Sequence, residues 1–163
     1  MPAAEIFLNG VGTGLDLPYL SKKHRYAALD LTPAMMKRAA PRAHGFDITW
    51  TQGDSERLPF RDDAFDYAVL HLIIAVVSQP ARALAEAARV VRAGGTLLVF
   101  DKFLRRGAAA PLRRALSPLA AAIATRTDVV LETLLESAPQ LQVLSDEPAL
   151  VRGWFRRIRL QKR

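Results

Sequence analysis

The chain has 163 residues, half of them apolar and 24% charged, with no cysteine and a formal net charge of +7. That size suits a single domain with its own core, and the missing thiols exclude a disulfide framework and thiolate metal sites. No apolar run reaches the roughly 18 residues of a membrane span and no signal-peptide pattern opens the chain, so a cytoplasmic protein without a bound metal is expected.

The first element is the stretch Glu5–Tyr19, EIFLNGVGTGLDLPY. A short apolar run, Ile6–Leu8, enters a turn with glycine at 10, 12 and 14, and a helix is predicted over Leu15–Ser21. Glycines there permit positive φ and leave no Cβ between backbone and ligand, while the free N–H groups of a following helix face the same space. A nucleotide-like cofactor across this loop is one reading. Tight packing is the other.

Further apolar, β-like runs are Tyr26–Leu29, Ile48–Thr51, Tyr67–Ile74, Thr96–Phe100, Leu141–Leu144 and Trp154–Leu160. Helices are predicted between them at Pro33–Ala43, at Ala81–Arg92 with a cap at Ala93-Gly94-Gly95, and over Pro111–Ser137 with a break near Thr125–Asp128. Strands alternating with helices imply crossover connections, hence an α/β domain with a mainly parallel sheet and helices on both faces. Ligands of such sheets bind beyond the C-terminal ends of the strands.

Those ends carry the chemistry. Asp30 closes the second strand, 20 residues after Gly10, where a carboxylate can accept from the vicinal hydroxyls of a ribose. Thr32 serves as N-cap with Pro33 at the first helical position, which leaves Asp30 for a ligand. Asp54 follows the third strand beside Leu58, Pro59 and Phe60, placed either for an exocyclic amine or for an Asx-turn. His71 lies near the end of the fourth strand, a candidate base or a core histidine. Asp101 ends the fifth.

The order GVGTGLD, ALDLTPAMMKRA, QGDSERLPFRDDAFDYAV and QPARALAEAARVVRAGGTLLVFD resembles the class I S-adenosylmethionine-dependent methyltransferases, especially the small-molecule and lipid group, over roughly residues 5–103. The third glycine follows the second by two residues, unlike the nicotinamide loop, where it follows by three. The resemblance implies a Rossmann-like, mainly parallel seven-stranded sheet with the last strand antiparallel, one domain over 1–163, and S-adenosyl-L-methionine as cofactor. It implies that Gly10, Gly12, Thr13 and Gly14 line the methionine and ribose, that Asp30 holds the ribose hydroxyls, that Leu31 and Met35 flank the adenine, and that Asp54 with Ser55 meets its amino edge. His71 lies where the family approaches the sulfonium and is the candidate catalytic base, with Asp101 behind it.

Two departures stand out. Leu8 occupies the position of the family's usual acid, and only four residues precede Glu5, so the N-terminal helical lid is expected to be missing or supplied from elsewhere, as by a second subunit in a homodimer.

The positive charge is concentrated late: 11 basic against 10 acidic residues in 1–100, and 12 against 6 in 101–163. Arginines 105, 106, 113, 114 and 126 lie in 104–127 without an acid. That segment is read either as a solvated surface helix or as a basic amphipathic one resting on an anionic membrane, which would make the protein membrane-peripheral. The arrangement looks like bacterial phosphatidylethanolamine N-methyltransferases, and the earlier motifs equally like quinone C-methyltransferases, so the expected partner is a small-molecule or lipid acceptor. A nucleic-acid partner is not expected, since no basic-aromatic platform is present.

Overall fold

A computed structural model describes residues 2–103, 129–150 and 154–163. The central strand is β1 (Glu5–Asn9). It pairs in parallel with β2 (Arg25–Asp30) on one side and β4 (Phe65–His71) on the other, so that Leu8 stands beside both Ala28 and Val69. Beyond β2 lies β3 (Asp47–Gln52), and beyond β4 lie β5 (Val91–Lys102), β7 (Phe155–Lys162) and β6 (Leu141–Pro148). β7 alone runs antiparallel, wedged between β5 and β6. The mainly parallel sheet is what the alternating runs predict, and its seven-stranded, Rossmann-like form with an antiparallel last strand is what the family resemblance implies.

Alternate residues of β1 feed two cores. Phe7 packs with Phe60 and Phe65 at ring-centroid distances of 5.2 and 5.3 Å, on the face covered by α2 (Pro80–Val90) and α3 (Leu131–Glu136). Leu8 points the other way, to Leu17, Tyr26, Ala28 and Ala43. On that second side stand α1 (Pro33–Ala39) and the 3-10 turns Leu17–Tyr19 and Ala40–Ala43. Among the described residues no helix is long and apolar enough to cross a membrane.

Several elements differ from their sequence-based prediction. Leu15–Ser21 forms a single 3-10 turn instead of a helix, because Pro18 has no N–H and Asp16, at the N-cap position, makes no side-chain cap bond. Pro41 likewise ends α1 and tightens Ala40–Ala43 into a 3-10 turn. The glycines after α2 do not cap it. The helix stops at Val90, Val91 already pairs with Phe65, and Gly94 turns inside the strand at φ +77° before Thr96 pairs with Tyr67. Gly95 is required there by proximity, since a Cβ would sit 2.8 Å from the Asp66 carbonyl oxygen. β4 stops at His71, where Leu72 adopts φ +57°. Of the predicted Pro111–Ser137 helix only α3 falls within the described residues; 104–128, and with it the basic segment, lies outside them.

One buried polar group is unusual for a strand so central. Asn9 is 2% exposed; its Oδ1 accepts the Ser55 hydroxyl at 2.6 Å, and its Nδ2 has no partner. An unmade bond of this kind costs about 1–3 kcal/mol, whereas removing both partners together is nearly neutral. Asn9→Leu alone, which strands the Ser55 hydroxyl, is therefore expected to leave stability unchanged or lower by about 1 kcal/mol, and Asn9→Leu with Ser55→Ala to equal or exceed the parent in urea denaturation.

Candidate active site

The glycine loop is strapped to the end of β2. The N–H groups of Gly10 and Val11 both donate to the Leu29 carbonyl, at 2.9 and 3.0 Å. Gly12 N–H donates to Asp30 Oδ2 at 2.8 Å, and Thr32 N–H to Asp30 Oδ1 at 2.9 Å. Asp30 is thus not left free, as the sequence suggested, but orders the loop with one lone pair of each oxygen.

The three glycines do different jobs. A Cβ on Gly10 would lie 2.7 Å from Ile73 and one on Gly14 2.8 Å from Ala39, so these two permit close packing. Gly12, at φ +55°, faces open space; its nearest neighbour is the Gly10 carbonyl at 4.0 Å. Beside it the Thr13 carbonyl accepts from Arg42 at 3.1 Å. Across the strap Leu31 and Met35 lie exposed, at 68% and 36%.

Asp54 makes the turn that was its alternative reading: its Oδ1 accepts the Glu56 N–H at 2.8 Å, in the irregular stretch after β3. Ser55 is buried with its hydroxyl turned inward to Asn9. Leu8 is part of the second core and offers no charge to a ligand.

At the C-terminal end of β4, His71 Nδ1 lies 2.5 Å from Asp16 Oδ2. The carboxylate accepts, so Nδ1 is a protonated nitrogen of the ring, and the neutral tautomer this contact selects has its lone pair on Nε2. The ring is also held edge-on by Phe100 at 5.1 Å. Asp16 went unnoticed in the sequence because it sat within a predicted helix. The cue was its position just before Leu-Pro, which denies it a helix to cap.

From this pair a trough of about 660 Å³ runs over the face of the sheet opposite α2 and α3, floored by Val69, Leu98 and Phe100. Behind it Asp101 is fully buried and accepts the N–H groups of Ala75 at 3.0 Å and Lys102 at 2.8 Å. Asp101 therefore ties the loop after β4 to β5 and does not reach the trough. Burial pushes its carboxyl above the ordinary value, against the backbone donors that favour the charge.

Comparisons with known proteins bear on this arrangement. A family model described as a methyltransferase domain matches residues 9–99. The phosphatidylethanolamine N-methyltransferase of Cereibacter sphaeroides is 31% identical over 159 residues, 94% of this chain and 78% of that protein. A ubiquinone/menaquinone biosynthesis C-methyltransferase of Roseobacter denitrificans is 42% identical over 77 residues, 45% of this chain and only 31% of that protein. Among solved structures, an S-adenosylmethionine-dependent methyltransferase from Mesorhizobium loti superposes with a TM-score of 0.78 at 19% identity, covering 99% of this chain and 92% of that one. That likeness speaks for the fold.

The raised carboxyl of Asp101 has a signed consequence. Above the unfolded carboxyl value of about 3.9, the folded state holds this proton more tightly than the unfolded state. The group's contribution to stability is therefore full below that pH and is lost as pH rises through the folded value. The stability of the parent relative to Asp101→Asn is expected to decline as pH is raised from about 3.5, levelling once Asp101 has ionised, in urea denaturation repeated across pH.

Proposed function

Because this chain belongs to the S-adenosylmethionine-dependent methyltransferases, matching their domain over residues 9–99, we propose that it methylates a small-molecule or lipid-like acceptor seated in the trough against His71. The observation that carries the reading is the Asp16–His71 contact. Asp16 follows the glycine loop and His71 ends β4, so the pair stands where the loop and the trough meet.

The residues present fit the cofactor. Gly12 leaves open space beside the loop, Asp30 retains lone pairs for a ribose diol, and Leu31 with Met35 offers exposed apolar surface for a base. Asp54 Oδ2 and the Ser55 backbone are the groups available to an adenine edge. Gly10, Thr13 and Gly14 shape the loop around these contacts, and Leu8 leaves the cofactor's amino group to backbone carbonyls. Bound S-adenosylmethionine supplies a methyl group activated on a sulfonium.

The protein's part is alignment and one proton. Displacement at a sulfonium gains most from holding the acceptor in line in a pocket that keeps water out, which the apolar floor of the trough favours. His71 Nε2 takes the proton from an amine or hydroxyl acceptor, and Asp16 keeps the ring in the right tautomer and stabilises the imidazolium that results. The names of the relatives, one a phospholipid and one a quinone methyltransferase, support an acceptor with apolar character. A segment as basic as 104–127 supports contact with an anionic membrane surface.

Two variants test the assignment. Asp30→Ala is expected to weaken S-adenosylmethionine binding at least tenfold by calorimetry, and unchanged affinity would remove the ribose role. His71→Asn, assayed at saturating cofactor with an acceptor identified by a methyl-transfer screen, is expected to lower kcat by about 100-fold or more and abolish the acid limb of its pH profile. A parental kcat and profile would show that the base lies elsewhere.

A further inference from the structure

The trough has two unlike walls. Cross-strand register aligns His71, Phe100, Arg157 and Glu147 in one row over β4, β5, β7 and β6, and Val69, Leu98, Arg159 and Ser145 in the next. Since side chains alternate along a strand, Arg157 and Arg159 stand on the trough side while Arg156, Ile158 and Leu160 are buried beneath. The floor over β4 and β5 is apolar and the wall over β7 is cationic.

The two arginines of that wall are not equivalent. Arg157 Nη2 bonds Glu147 Oε2 at 2.7 Å and is neutralised. Among the described residues no carboxylate pairs with Arg159, which lines the same trough. Its neighbours across the sheet are Leu98, 40% exposed, and Ser145. An unpaired guanidinium beside an apolar floor complements a ligand that is itself apolar with an anionic group at one end.

We infer that the trough takes an anionic amphiphile as methyl acceptor, with Arg159 reading the anion about 12 Å from the end that faces His71, two strand spacings across and two residues along. This rests on the methyltransferase reading for which end reacts, and on the trough alone for the binding. Arg159 is a specificity-determining residue here. It touches neither the glycine loop nor the Asp16–His71 pair.

The probes are two naphthylamine dyes of similar body, 8-anilinonaphthalene-1-sulfonate, which is anionic, and N-phenyl-1-naphthylamine, which is neutral. Fluorescence titration of the full chain is expected to show saturable binding of both. Arg159→Gln should weaken the sulfonate roughly three- to tenfold and leave the neutral dye unchanged. Leu98→Glu, which puts a charge on the exposed floor, should abolish both, with circular dichroism verifying the fold. The proposal is overturned if Arg159→Gln affects neither dye or both alike, if either dye still binds Leu98→Glu at parental affinity, or if sedimentation shows a dimer that Leu98→Glu dissociates, for then a second copy covers the face. Calorimetry with S-adenosylmethionine on the same preparations separates the two readings: loss of cofactor binding in the parent sinks the methyltransferase assignment and leaves the dye result standing.

Discussion

The site depends on the carboxylate of Asp30. Its two oxygens accept N–H groups from both sides of the cleft, Gly12 in the loop after β1 and Thr32 at the start of α1. Together with the paired donors of Gly10 and Val11 to Leu29, this closes the loop against β2. With the loop held, Gly14 rests on Ala39 and Asp16 is carried to His71. One carboxylate thus orders the loop after β1 and the start of α1 together.

Much of this was legible in the chain. Short apolar runs alternating with helical stretches specified a mainly parallel sheet, and the family resemblance specified its seven strands with an antiparallel last one. Local chemistry was legible where a single residue type decides it, as with Pro33 opening α1. Failures came where neighbours overrule local pattern. Leu15–Ser21 has apolar spacing suited to a helix, yet Pro18 and the pull of His71 on Asp16 leave one 3-10 turn. Val90 and Val91 read as the end of a helix, and the sheet claims the second of them. The trough was invisible because its parts, Val69, Leu98 and Arg159, are joined only by strand register.

Among the described residues, the arginines of β7 take distinct physical roles on a single strand. Arg156 is 3% exposed and is held by Asp146 and Glu132, with its guanidinium 5.9 Å from the Phe103 ring. It spends its charge inside the fold, at a desolvation cost that the paired acids offset. Arg157 spends its charge on Glu147 at the surface, and Arg159 lines the trough with no acid paired to it among the described residues. Net charge alone could not have told these three apart.

The position of β7 also governs the order in which the molecule is put together. β7 lies between β5 and β6, so β6 has no strand to pair with until a segment later in the chain has been inserted beside it. Pairing Lys102 with Phe155 closes a loop of more than fifty residues, an entropic cost that falls late in folding. The half of the sheet that carries the glycine loop needs only β1 to β5, whose crossovers are short, and can assemble first. A chain caught at that stage would already hold its glycine loop strapped to β2 while its arginine wall was still unbuilt.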